Sequence, residues 1–199
     1  ARGRLVVGVG AGGRGFDATA LGDPAWGDAE RHERFVEFTT LLARLLRGEA
    51  ESAGGEFYRA DGVRLVPGPH SALPPLLVSA MGPRAIELAA SLGDGWVSVG
   101  RRMGEDVSTY DAVRRQVGRL DAALEKLGRR TIRRVLLDSH DDEAPQASLE
   151  TFLDWAGRYG ELGFDEVVIH WPEPGTSLDF PVDAFEAIAT EGRERIAGW

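Results

Sequence analysis

The chain has 199 residues, 43% of them apolar and 28% charged, enough apolar matter to bury the core of one domain. A formal net charge of −9 argues against a nucleic-acid partner, and the lack of Cys excludes a disulfide framework, a thiolate metal site and a cysteine nucleophile. No apolar run approaches the ~20 residues of a membrane span and no signal-peptide pattern opens the chain, so the expectation is a cytoplasmic domain with no membrane partner. Lys126 is the single lysine beside many arginines, a bias we read as coding drift rather than chemistry.

Leu5 to Gly10 is a short apolar run without alternation that ends in glycines, the pattern of a parallel strand buried on both faces. A Gly-rich loop with Asp23-Pro24 leads to about Asp28, with no helix expected before it. Phe35, Phe38, Leu41, Leu42, Leu45 and Leu46 then recur at helical spacing, and Gly48 stops the helix. Gly55 to Val66 reads as a small hairpin, with Asp61-Gly62 as the turn that needs positive φ. Leu76 to Ala80 is a second buried strand, and Gly82-Pro83 opens a helix, proline being tolerated at its first position.

The alternation continues with a strand over Gly95 to Val99. Ser108 caps a helix whose stripe is Val113, Val117, Leu120, Leu124 and Leu127, ended by Gly128. Ile132 to Asp138 is a fourth strand. Phe152, Trp155, Tyr159 and Leu162 mark a helix ended by Gly163, Val167 to His170 a fifth strand, and a last helix starts near Asp183. Five strands alternating with helices predict a parallel α/β fold. A complete (β/α)₈ barrel takes about 250 residues, so this chain would supply five of its eight units, whereas an open doubly wound sheet fits with nothing missing. Composition does not choose between the two.

Gly8-Val9-Gly10-Ala11-Gly12-Gly13 matches G-x-G-x-x-G after a strand, but a dinucleotide site needs a helix opening at the third glycine. The other reading is a glycine-lined strand end that lets backbone approach a flat ligand, or that serves packing alone. In Ser79-Ala80-Met81-Gly82-Pro83-Arg84 a strand ends, a glycine turn follows, and a helix N-terminus points free amides toward the strand's carboxyl edge. Such a terminus favours an anion, to which Arg84 could add charge; the plain alternative is an ordinary βα loop.

Asp138, His140, Asp141, Asp142 and Glu143 form a charged run after the fourth strand, read as a solvated loop rather than a cation site. His170 sits at the fifth strand's end, facing a ligand or satisfied by a backbone carbonyl. His32, within Glu30-Arg31-His32-Glu33-Arg34, reads by pattern as an exposed helix turn laced by charge pairs. No Ser–His–Asp order, H-E-x-x-H or P-loop is present.

Gly3-Arg4-Leu5-Val6-Val7-Gly8-Val9-Gly10-Ala11-Gly12, with the later Leu45-Leu46-Arg47-Gly48, resembles the bacterial luciferase-like oxidoreductase family. So do Gly55-Glu56-Phe57-Tyr58, Pro75 through Arg84, Leu88-Ala89-Ala90 and Gly93-Asp94-Gly95-Trp96, in this order and spacing. The resemblance implies a TIM (β/α)₈ barrel, here a partial one: residues 1–199 as a single domain of about five βα units plus a hairpin insertion, lacking the first three units. It implies an oxidoreductase or monooxygenase that uses flavin mononucleotide (FMN) or its deazaflavin analogue, coenzyme F420, on a small-molecule substrate.

By the same resemblance Gly82, Pro83, Arg84 and Ala85, preceded by Ala80 and Met81, match the cofactor-phosphate turn. His32 with Arg31 would contact the phosphate, and Gly10, Ala11 and Gly12 would lie near the tricyclic ring. His170 and Asp138 would border the substrate, and no metal is expected. The strand ends nearest the ring's reacting face belong in the family largely to the three absent units, so the catalytic residues stay unassigned. The open edges of an incomplete barrel call for an N-terminal segment or a second copy to cover them. Two alternatives remain at this point: a non-catalytic binding or assembly module on the same fold, and an unrelated phosphate-binding α/β enzyme on an open sheet.

Overall fold

The computed structural model describes residues 5–13, 16–48, 51–65, 73–102, 104–138 and 143–197. Its elements run β1 (Val7–Val9), α1 (Phe16–Ala20), α2 (Asp28–Leu46), β2 (Glu51–Gly54), β3 (Arg59–Val63), β4 (Leu76–Ser79), α3 (Pro83–Leu92) and β5 (Gly95–Ser98). There follow α4 (Thr109–Lys126), β6 (Arg133–Leu137), α5 (Leu149–Glu161), β7 (Glu166–Val168), α6 (Val182–Ala187), a π-helical turn (Ile188–Gly192) and α7 (Arg193–Ile196). Five strands form one sheet in the order β1-β4-β5-β6-β7, and β2-β3 is a separate ribbon. β1 pairs in parallel with β4, and β6 with β7. Leaving out the ribbon, the sheet strands follow chain order without reversal, whereas a doubly wound sheet reverses at its switch point. Among the described residues no helix is long and apolar enough to cross a membrane.

The chain divides into two compact units, residues 1–80 with 84–96, and residues 81–83 with 97–199. In the first, Asp94 braces the start of β4: its carboxylate accepts the Leu76 N–H at 2.9 Å, and its own N–H donates to the Leu76 carbonyl at 2.8 Å. Gly93 is obligatory there, because a Cβ would lie 2.8 Å from the backbone oxygens of Ala89 and Gly95. The second unit repeats the device. Asp165 accepts the Arg134 N–H at 2.7 Å and donates its own to the Arg134 carbonyl at 2.9 Å.

The sequence-based elements differ from the structure in four places, each for a local physical reason. β1 is not buried on both faces: Leu5 and Val6 are exposed and Val7 and Val9 half-buried, because β1 ends the sheet's strand order. The short helix α1 stands inside the stretch expected to be loop; at five residues it is too brief to serve as a pyrophosphate-binding helix. On α2 the buried residues are Phe35, Thr39 and Ala43, one every four positions, while Phe38 turns outward and is 40% exposed.

The hairpin turn falls at Gly55–Tyr58, closed by the Gly55 N–H donating to the Tyr58 carbonyl, and not at Asp61-Gly62. Gly62 instead holds φ 59° inside β3, where the ladder slips between Glu51 and Ala53 and its N–H donates to Ser52 Oγ at 2.9 Å. A bulge and a tight turn demand the same left-handed glycine, so the sequence signal alone does not separate them.

The second unit follows expectation more closely. Ser108 and Ser148 cap α4 and α5, each hydroxyl accepting an N–H at 3.1 Å, from Asp111 and Thr151. Val113, Val117, Leu120 and Leu124 of α4, and Phe152, Trp155 and Tyr159 of α5, form the apolar core of this unit. The final helical stretch packs closely on α5, since a Cβ at Gly192 would sit 3.1 Å from Leu149 Cδ1 and 3.2 Å from Phe152 Cε1.

Candidate cofactor and substrate site

At the carboxyl end of β1, Gly12 adopts φ 72°, which a side chain would strain. Its carbonyl accepts from Arg31 Nη1 at 2.8 Å, and Arg31 Nη2 reaches Asp28 at 3.1 Å. Gly10, Ala11, Gly12, Gly13 and Arg31 all line one cavity of about 240 Å³. Its remaining walls were not foreseen. They come from Ala18 and Leu21 at α1, from Trp26, from Arg34, Phe35 and Phe38 on α2, and from Tyr58 in the hairpin turn. Phe35 and Phe38 had read only as a helix stripe, and nothing local marks Trp26 or Tyr58.

His32 follows Arg31, and successive helical residues point about 100° apart, so the two serve different surroundings. The His32 imidazole is held below its ordinary pKa of 6.5 by partial burial first and by the Arg84 charge second, with Glu33 opposing. His32 and Arg84 are thus electrostatic neighbours. Among the described residues Arg84 has neither an ion pair nor a side-chain hydrogen bond, an arrangement that favours an anion. Arg84 lies in the first turn of α3, whose opening amides carry no intrahelical partner. A Cβ at the preceding Gly82 would meet nothing within 4 Å, so the approach to that residue is open. Ala80 is anchored through its carbonyl, which accepts from the buried Trp96 Nε1 at 2.8 Å. Met81 and Gly82 are half-buried, Pro83 exposed and Ala85 half-buried.

In the second unit the structure brings Asp138 and His170 together at the ends of β6 and β7. His170 Nε2 lies 3.0 Å from the Asp138 carbonyl oxygen, and the Asp138 N–H donates to the Val168 carbonyl at 2.9 Å. The fully buried Gln146 completes the link. With its amide oriented by its neighbours, Nε2 donates to Asp138 Oδ2 at 2.9 Å and Oε1 accepts the His170 N–H at 3.1 Å. Of the charged run after β6, His140, Asp141 and Asp142 lie outside the described residues. Glu143 is not solvated as expected: it accepts from Tyr159 Oη, from Trp155 Nε1 at 3.2 Å and from Arg158 at 3.2 Å.

A glycine-ended strand, a ribbon insertion, a strand–glycine–helix turn and an unreversed parallel sheet together define a pattern with a counterpart. The model of the luciferase-like monooxygenase family matches residues 1–193. This chain belongs to the luciferase-like monooxygenase family. The unrelated open-sheet enzyme is thereby set aside.

This luciferase-like chain is 35% identical over 103 residues to an F420-dependent hydroxymycolic acid dehydrogenase of Mycobacterium tuberculosis, covering 52% of this chain and 28% of that protein. It is 29% identical over 160 residues to an F420-dependent glucose-6-phosphate dehydrogenase of Microbacterium testaceum, covering 77% of this chain and 45% of that protein. The chain spans less than half the length of these curated relatives. Among solved structures, an F420-dependent secondary alcohol dehydrogenase superposes with a TM-score of 0.68 at 17% identity, covering 94% of this chain and 70% of that one. The likeness in fold agrees with the partial barrel expected from the sequence.

Proposed function

We propose that this chain is part of an oxidoreductase that binds coenzyme F420 or FMN and acts on a small-molecule substrate in the cytoplasm. The observation that carries the reading is the His32–Arg84 pair beside the α3 N-terminus in a member of this family. Arg84 supplies a fixed positive charge, and the neighbouring His32, held neutral by burial and by that charge, would gain its proton when an anion arrives, which fits a phosphate. F420 is the preferred cofactor because both relatives described above are named for it.

In this reading the segment Ala80, Met81, Gly82, Pro83, Arg84 and Ala85 holds the cofactor phosphate, the helix amides and Arg84 supplying donors and positive charge. His32 adds a further donor, whereas Arg31, expected beside it, is engaged by the Gly12 carbonyl and Asp28. Gly10, Ala11 and Gly12 border the ring, where the lack of side chains allows backbone to approach a flat surface. When bound, the deazaflavin supplies hydride transfer, and the protein's part is binding, orientation and shielding from water. His170 borders the substrate, held in place by Asp138 and Gln146.

A fluorescence titration of the purified chain with F420 and FMN in parallel tests the reading. Saturable micromolar binding of one is expected, weakened tenfold or more by Arg84→Ala. Binding of neither to a folded chain overturns it.

A further inference from the structure

The cavity at the end of β1 contains two arginines, yet neither is available as a free anion receptor. Arg31 is spent on Asp28 and on the Gly12 carbonyl. Arg34 pairs with Glu30 at 2.9 Å, and its guanidinium lies 4.2 Å from the centroid of Trp26 and 4.5 Å from that of Phe57. A guanidinium stacked on rings and paired with a carboxylate acts as a flat wall rather than a charge to be neutralised. What remains facing the cavity is aromatic and apolar: Trp26, Phe35, Phe38 and Tyr58, with Phe38 and Tyr58 in ring contact at 5.6 Å.

Size narrows the occupant. About 240 Å³ lies below the roughly 300–1,000 Å³ of pockets that take a whole drug-sized ligand, so this one suits a single arm of a larger molecule. We propose that the Trp26–Phe35–Phe38–Tyr58 side of this cavity, whose glycine wall borders the cofactor ring in the reading above, is a recognition pocket for an uncharged aromatic ring, the apolar arm of this enzyme's substrate. The substrate role rests on the oxidoreductase reading above; the ligand class does not. Edge and face contacts with four surrounding rings select a flat π-system, and the compensated arginines give a carboxylate no advantage.

Glu37 positions one wall. Its carboxylate accepts the N–H groups of Glu56, Phe57 and Tyr58, which places Phe57 on Arg34 and Tyr58 at the cavity. A Cβ at Gly55 would fall on the Glu37 carboxylate, which would have to swing away and give up these bonds.

Ligand-detected NMR titrations of the intact chain with anisole, benzoate and glycerol test the proposal, each run beside F420 and FMN titrations. Anisole is expected to bind saturably, benzoate at least tenfold more weakly, and glycerol not at all. Ala18→Phe, which fills the cavity, should reduce anisole binding at least tenfold. Phe38→Ala should weaken it several-fold, and because Phe38 lies outside the core this variant keeps the fold if the first does not. Benzoate binding as tightly as anisole, or anisole binding that survives both substitutions, overturns the proposal. Anisole binding without binding of either cofactor supports the pocket while overturning the oxidoreductase reading. Cofactor binding without anisole binding overturns the pocket alone.

Discussion

Tyr58 donates its backbone N–H to the Glu37 carboxylate at 2.6 Å, and by this bond a hairpin turn is tied to the middle of α2. The same carboxylate accepts from Glu56 at 3.1 Å and Phe57 at 3.2 Å, so one side chain satisfies three N–H groups that the short ribbon leaves unpaired. Glu37→Gln replaces one acceptor oxygen by a donor and removes the charge that strengthens these bonds. It should cost about 1–3 kcal/mol, read from urea unfolding. Unchanged stability would mean the turn holds itself.

His32 gives a pH dependence of definite sign. Its proton is bound less tightly in the folded chain than in the unfolded one, so its neutral form is favoured by folding. Its contribution to stability is complete above the ordinary value of 6.5 and falls as pH drops below it, levelling once the folded imidazole is also protonated. His32→Gln should flatten that part of the profile. In NMR titrations Arg84→Ala should raise the His32 pKa, and added inorganic phosphate should raise it in the native chain. A pKa that moves with neither change would separate His32 from any anion site.

Gly82 allows charge to be tested apart from size. Because an added Cβ there meets nothing within 4 Å, Gly82→Ala should fold normally and bind cofactor within a few-fold of the native chain. Gly82→Glu should abolish binding by setting a carboxylate beside the phosphate, whereas His32→Ala should only weaken it. Cofactor titrations on the three variants decide. Normal binding by Gly82→Glu would place the phosphate elsewhere.

Gln146 offers a buried test in the second unit. Gln146→Leu keeps the approximate volume but removes the donor to Asp138 and the acceptor for the His170 N–H. A carboxylate only 5% exposed would lose a bond it does not readily replace with water. The expected loss is about 1–3 kcal/mol in thermal or urea unfolding, with a shift of the His170 ring signals. An unperturbed His170 spectrum would uncouple the two strand ends.

Elements marked by local signals were legible from the residues alone. Ser108 and Ser148 cap, Gly48, Gly128 and Gly163 terminate with positive φ, and the stripes of α4 and α5 repeat at helical spacing. These depend on neighbours within about one helical turn, which the chain order specifies directly. Where two structures demand the same local conformation the signal was ambiguous, and Gly62 was placed in a turn when it forms a bulge. Phe38 was assigned to the buried stripe because it is apolar at a permitted spacing, but burial depends on which face meets another element.

The parallel α/β character, the glycine strand end and the strand–glycine–helix turn at Gly82 were therefore determined by the sequence itself. Tertiary structure decided which remote residues meet: His32 with Arg84, Glu37 with the hairpin turn, Gln146 between Asp138 and His170, and four aromatic rings around one cavity. Such meetings follow from how whole elements pack, and packing energy is shared among many side chains rather than written in any short run of residues.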